Sequence, residues 1–178
     1  MIKKDTSPDM SFKVSTSGLT PKTLYRVTHR VFEGMENLIP CFYPQTVGLA
    51  DYFQPGCVVL ATEDDLHQIL YNLMENGIKY SGHMGFVHTA LTVEGGDVVI
   101  RVEDNGVGIS DEDMPHIFER FYRVDKARSR QAGGSGLGLS IVHDMVLRND
   151  STISVAPRPE GGTCFTVVFP AFDIEEEI

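Results

Sequence analysis

No run of eighteen apolar residues occurs in this 178-residue chain, and no basic-then-apolar leader opens it. As given, it reads as neither membrane-spanning nor secreted. Cysteine is scarce. Cys41, Cys57 and Cys164 are odd in number, far apart and without a C-x-x-C pair, which argues for reduced thiols and a cytoplasmic setting over a disulfide framework or a zinc site. Basic charge is short as well: 15 Lys and Arg against 25 Asp and Glu leave a net charge of −10, the wrong sign for a general grip on nucleic acid. Internal repeats are lacking too.

What is present is the make-up of one globular domain, 42% hydrophobic and 22% charged. Residues 1–20 read as a polar arm, 21–172 as the domain and 173–178 as an acidic tail. Thr20 and Pro21 resemble an N-cap and first helical residue, and Leu24, Val27, Val31, Met35 and Leu38 continue at helical spacing to Pro40. A weak strand is expected over 46–50 and a buried one at "CVVLA". Thr62 and Asp65 form a capping box before Leu66, Ile69, Leu70, Leu73, Met74 and Ile78, an amphipathic helix ending near Tyr80. "FVHTALTV" and "DVVIRVED" read as a hairpin, as do "TISVA" and "TCFTVVF". Ser110 and Asp113 suggest a second box opening a short helix through Phe121. A helix is expected from Gly136 to about Asn149. This order gives α+β: helices on one face of a mixed, mostly antiparallel sheet, a two-layer sandwich.

The glycine-rich stretch "GGSGLGLSIV" at 133–142 fits neither the dinucleotide spacing G-x-G-x-x-G nor a P-loop, which needs a following lysine. It does open a helix, whose unpaired N–H groups and dipole favour an anion. Upstream, "EDNGVGIS" places Asp104, Gly106 and Gly108 at a strand end, where an exposed carboxylate can accept from an exocyclic amine while the glycines admit a ring. Asn72, Asn76 and Lys79 share one helical stripe with Tyr80 nearby, amide oxygens suiting magnesium and the ammonium a phosphate.

Together these segments resemble the catalytic ATP-binding domain of bacterial sensor histidine kinases. "LHQILYNLMENGIKYS" is similar to the family's N box (66–81), "DNGVGI" to its G1 box (104–109), "IFERFYRVD" to the start of its F box and lid (117–135), and the glycine stretch to its G2 box. The resemblance implies the Bergerat fold with a mobile ATP lid, and ATP and Mg²⁺ as ligands. It assigns Asp104 to the adenine amine, Gly106 and Gly108 to the purine pocket, Asn76 to Mg²⁺, and Asn72 to supporting metal or phosphate. Lys79 would contact phosphate and Tyr80 cover the adenine. Arg123 would reach the γ-phosphate, with Lys126, Arg128 and Arg130 in the same field. Gly134, Gly136, Leu137 and Gly138 would face phosphates through their backbone. Phe118 and Phe121 read as core anchors of the lid.

Two departures shape the functional expectation. Hydrolytic relatives carry a glutamate one turn before the metal asparagine, where this chain has Asn72, and Glu75 is turned roughly 100° from Asn76. Transfer to a partner side chain is favoured over hydrolysis. None of His29, His67, His83, His88, His116 or His143 has the acidic-then-proline setting of a phosphoacceptor, so the resemblance implies an acceptor on a separate dimerisation domain and a response regulator downstream. The parent would be cytoplasmic or the cytoplasmic part of a membrane-bound sensor, with this domain alone monomeric and without membrane contact. Two alternatives stay open: a serine-protein kinase of the anti-sigma-factor type, and a nucleotide-sensing interaction module. Gly77, where the family has alanine, is expected to cost only helix propensity, roughly 1 kcal/mol.

Overall fold

The computed structural model describes residues 3–4, 12–13, 23–26, 48–54, 57–81, 85–124 and 135–170. Strands β1 (Lys3–Lys4), β2 (Phe12–Lys13), β3 (Thr23–Arg26), β4 (Gly48–Phe53) and β5 (Val58–Ala61) lead into helix α1 (Glu63–Ser81). Strands β6 (Phe86–Glu94) and β7 (Asp97–Asp104) follow, then a 3₁₀ turn at Met114–His116, helix α2 (Gly138–Arg148), and strands β8 (Thr152–Pro157) and β9 (Thr163–Phe169). One sheet has the order β1-β2-β3-β5 and the other β4-β6-β7-β9-β8. In the five-stranded sheet only β4 and β6 run parallel. Both helices lie on one face of it, α1 against β6 and β7, and α2 against α1 and β8. This is the α+β layer arrangement expected from the sequence.

Period-two burial explains why the sheet takes its helices on one side only. Val87, Thr89 and Leu91 of β6 and Val98, Ile100 and Val102 of β7 point inward, each no more than 3% exposed. Phe165, Val167 and Phe169 extend the row on β9, and the 66-69-70-73-74-78 stripe of α1 closes over it. At roughly 1.5–3 kcal/mol for each fully buried large apolar side chain, this layer is the main source of stability.

The start of α1 follows its capping signal: the Asp65 N–H donates to Thr62 Oγ1 at 3.2 Å. The Asp65 carboxylate is bound instead by Arg148 and by Asn149 Nδ2 at 2.8 Å, which pins the end of α2 to the start of α1.

Two expected elements take other forms. Residues 23–26 are not the first turn of a helix but strand β3, antiparallel to β5 with Leu24 opposite Leu60. A local N-cap signal yields there to ladder pairing with an apolar strand, and Thr23 and Tyr25 have good strand propensity. The rest of the expected 21–40 helix lies outside the described residues. The helix expected after Ser110 contracts to successive turns. Asp113 N–H does bond Ser110 Oγ at 3.1 Å, but the chain continues through i→i+3 bonds and stops at Phe121, whose φ is 66°.

Candidate nucleotide site

Asp104 ends β7 in the inward phase, continuing the row Val98, Ile100, Val102 with a carboxylate. The sequence suggested an exposed carboxylate; the side chain is buried, with the residue 6% exposed, because strand register rather than loop geometry sets its direction. Burial pushes this carboxyl up, while the Gly106 and Thr163 backbone N–H groups and the charge of Arg158 pull against it. The Gly106 N–H donates to Asp104 Oδ1 at 2.7 Å. An acid in such a place carries a desolvation cost that folding does not recover, a common sign of a functional group.

Helix α1 passes directly over it. A Cβ on Gly77 would lie 3.6 Å from the Asp104 Cβ and 2.9 Å from Val87 Cγ2, so the missing side chain allows helix and sheet to close here. At the helix end, the Tyr80 carbonyl accepts from Val107 N–H at 3.4 Å, and any side chain on Gly106 would collide with that carbonyl. The loop after Asp104 is thereby seated on the end of α1, beside Tyr80, which is 40% exposed. Asn76 and Lys79 are half-buried on the same helix. Gly108 has φ 73°, a left-handed turn that a side chain would strain.

Asn72 joins α1 to the beginning of α2. Its Nδ2 donates to the Gln68 carbonyl at 2.8 Å, leaving Oδ1 turned toward Gly138, whose Cβ would come within 3.1 Å of it. Leu137 is the N-cap residue of α2 and offers no side-chain cap, so the first helical N–H groups are not satisfied by a capping side chain. Glu75, next to Asn76 in sequence, is turned roughly 100° from it around α1, and its charge adds to the burial that pushes the Tyr71 hydroxyl up.

The base of the F-box segment closes on the same corner. Phe121 and Gly136 both have positive φ, 66° and 73°, and the Phe121 N–H donates to the Gly136 carbonyl at 2.9 Å. Glycine is required at 136, because a Cβ would lie 3.0 Å from the Phe121 Cα on an already left-handed backbone. Phe118 packs on the core and against the His143 ring at 5.3 Å, as expected. Phe121 does not: it is 71% exposed, since its left-handed backbone turns the side chain outward. Arg123 follows, with Nε and Nη2 buried and no hydrogen-bond partner for either among the described residues. Two buried donors without an acceptor suit an anion.

Thus Asn72, Asn76, Lys79, Tyr80, Asp104, Gly106, Gly108, Gly136, Leu137 and Gly138 fall on three adjoining pieces: the second half of α1, the loop after β7 and the start of α2. Arg123 stands just past the hydrogen bond that joins the F box to α2. Gly134, Lys126, Arg128, Arg130 and the stretch 125–134 of the expected lid lie outside the described residues. Sequence reasoning missed Arg158 and Gly162 in the β8–β9 turn and Thr163 at the start of β9, which meet Asp104 from the neighbouring hairpin. Their only local signal was a glycine pair before a strand; the contacts themselves span 54 residues or more.

Comparison with known proteins agrees with this arrangement. Residues 61–173 match the family described as histidine kinase-, DNA gyrase B-, and HSP90-like ATPase. The sensor-like histidine kinase SenX3 of Mycobacterium tuberculosis is 44% identical over 113 residues, covering 64% of this chain and 28% of that protein. The phosphate regulon sensor protein PhoR of Haemophilus influenzae is 38% identical over 117 residues, covering 66% of this chain and 28% of its own length. This chain thus spans under a third of those curated relatives. Among solved structures, the mycobacterial sensor histidine kinase MprB superposes with TM-score 0.70 at 24% identity, over 84% of this chain and 97% of that one. Full-length ShkA in complex with AMPPNP gives 0.69 at 25% identity, over 89% and 32%. A buried strand-end carboxylate, a loop seated on α1 and a glycine-led α2 are the parts that the family match joins, and by that match the chain belongs to the histidine kinase-, DNA gyrase B-, and HSP90-like ATPases.

Proposed function

We propose that this chain is the ATP-binding catalytic domain of a sensor histidine kinase, passing the γ-phosphate of ATP to a histidine on a separate dimerisation domain, from which a response regulator would receive it. The observation that carries transfer over hydrolysis is the environment of Asn72. One turn before Asn76, where water activation needs a carboxylate, stands an amide whose donor is held by the Gln68 carbonyl, while Glu75 is turned roughly 100° from Asn76 around α1. The sensor-kinase names of the relatives support the same reading. A serine-protein kinase of the anti-sigma-factor type is disfavoured by the same amide, and a purely sensing module would bind the nucleotide yet leave an added acceptor unlabelled.

In this reading Asp104 accepts from the adenine amine, Tyr80 covers the ring, and the backbone from Gly136 to Gly138 faces the phosphates. Gly134 and Lys79 are assigned to the phosphates as well. The residues fit a metal–nucleotide: Asn76 is a half-buried amide, and no cluster of three His, Cys, Asp or Glu occurs among the described residues, so the other ligands would be phosphate oxygens and water. Bound Mg²⁺ would supply charge neutralisation between the phosphates. Arg123 offers fixed positive charge to the transferring group, where positioning and electrostatics account for most of the catalysis. The cytoplasm, where ATP is available, is the compartment this assignment implies for the domain.

The test is transfer in trans. Incubated with radiolabelled ATP and Mg²⁺, the chain should stay unlabelled alone and should label an added dimerisation domain from a sensor-kinase relative. Stable self-labelling, or release of free phosphate without any labelled acceptor, would count against the proposal.

A further inference from the structure

The β8–β9 turn closes the back of the site, and one residue dominates it. The Arg158 side chain is 15% exposed, deeply held for an arginine on a hairpin turn. Its Nη1 donates to the Asp104 carbonyl at 3.0 Å and to the Gly161 carbonyl at 3.3 Å. Its Nε lies 3.4 Å from Glu103 Oε2, and its Nη2 lies 3.8 Å from Glu160 Oε2. The guanidinium also sits 5.0 Å over the ring of Phe86, whose own N–H donates to Asn105 Oδ1 at 2.8 Å. One planar fork therefore reaches the side chain of 103 and the backbone of 104, and stacks on the residue that holds 105. Gly162 completes the support, for a side chain there would collide with the same Asp104 carbonyl.

This arrangement exceeds what a hairpin needs. Surface ion pairs contribute little stability, and the Glu160 contact is of that kind. The contacts to Asp104 and Glu103 are different, because they hold the backbone and flank of β7 at its last ladder pair, Val87–Asp104, where the chain leaves the sheet. We infer that Arg158 is a specificity-positioning residue: by holding the Asp104 backbone from behind, it fixes the carboxylate where an adenine amine can donate to it and a guanine carbonyl cannot. The inference rests on the reading that Asp104 receives adenine. Its chemical basis is that a carboxylate accepts and does not donate, so it selects between purines only if it stays in register with the base edge. A small displacement would let the ring slide past and erase the difference. Arginine suits this position because its donors form a rigid fork, whereas a lysine ammonium is a point charge on a flexible stem.

Calorimetric affinities for ADP and GDP, measured with Mg²⁺ on the intact chain, test it directly. Arg158→Met should reduce the preference for ADP over GDP about tenfold, the effect of one hydrogen bond involving a charged group, with GDP affinity unchanged. Arg158→Lys should reduce it roughly threefold, since charge remains but the fork is lost. The lysine variant carries the test if the methionine variant melts below the assay temperature. Equal weakening of ADP and GDP would mean a merely structural residue and overturn the inference. So would full ADP preference in Arg158→Lys beside lost preference in Asp104→Asn. Full preference in Asp104→Asn itself would remove the adenine assignment and this inference with it.

Discussion

Gly77 and Val87 face each other across the joint between α1 and β6 with no space for a side chain on the helix: a Cβ at 77 would stand 2.9 Å from one Val87 methyl and 3.3 Å from the other. Val87 is fully buried and β-branched, hence stiff about χ1. The sequence alone assigned Gly77 only a propensity cost; the structure gives it a packing role. Gly77→Ala should gain about 1 kcal/mol of helix propensity and lose more to overpacking, about 1–3 kcal/mol. A net fall in denaturation midpoint is expected. Adding Val87→Ala should make the alanine at 77 less harmful or favourable, a coupling that a double-mutant cycle reads out. A single variant that melts higher than the parent would show that Val87 yields freely.

Asp104→Asn should separate binding from stability. Loss of an acceptor at the adenine edge should weaken ADP by roughly tenfold or more, about 1.5–3 kcal/mol. Because burial raises the folded-state pKa of this carboxyl, its ionised form works against folding, and that penalty grows as pH rises through its titration. The ligand-free variant should therefore melt no lower than the parent at neutral pH. ADP binding by the parent should fall with acidification at a pH above the ordinary aspartate range, as the acceptor takes up a proton. Calorimetry across pH with parent and variant checks both; a variant with unchanged ADP affinity would remove Asp104 from the site.

Asp65 predicts the opposite pH dependence. Burial pushes its carboxyl up, but hydrogen bonds from Arg148 and Asn149 and the Arg148 charge outweigh burial and hold it below the ordinary value. A depressed carboxylate contributes stability above its unfolded pKa and loses it as pH falls through the folded one. Asp65→Ala should cost about 2 kcal/mol at pH 7, in the range of a hydrogen bond to a charged group. The deficit should shrink at a pH below the ordinary aspartate range, once the parent carboxyl is protonated. Urea midpoints at both pH values decide this, and a deficit independent of pH would mean that the carboxylate charge is not what joins α1 to α2.

Arg123→Ala should act on transfer rather than on folding. Its Nε and Nη2 are buried without a hydrogen-bond partner among the described residues, so removing them relieves a desolvation cost and the melting temperature should hold or rise. Labelling of an added acceptor domain should slow by about a hundredfold, as when one electrostatic group is taken from a transition state, with ADP affinity changed less than about threefold. Equal losses in binding and rate would place Arg123 on the ground-state nucleotide alone.

The parts legible from sequence were those governed by period and local turn chemistry. The stripe from Leu66 to Ile78 needs only 3.6 residues per turn, and Val98, Ile100 and Val102 need only alternation. The same alternation, carried one step further, places Asp104 inward, although its position at the strand end before a glycine loop suggested an exposed carboxylate. Strand β3 could not be read locally, since Leu24 finds Leu60 by pairing across a gap that no window spans. The hold of Arg158 on Asp104 was hidden for the same reason.

The hydrogen bond between Phe121 and Gly136 also has a bearing on how this site can diverge. With the two ends of the intervening segment tied at one corner, closing entropy depends on its length only logarithmically, and doubling it would cost about 0.6 kcal/mol. Insertions and deletions between Tyr122 and Ser135 are then inexpensive for the fold, because α2 is held by its packing on α1 and by Arg148 and Asn149 on Asp65, whatever the length of that span. Selection can lengthen or shorten that span without disturbing the buried Asp104 carboxylate or the start of α2.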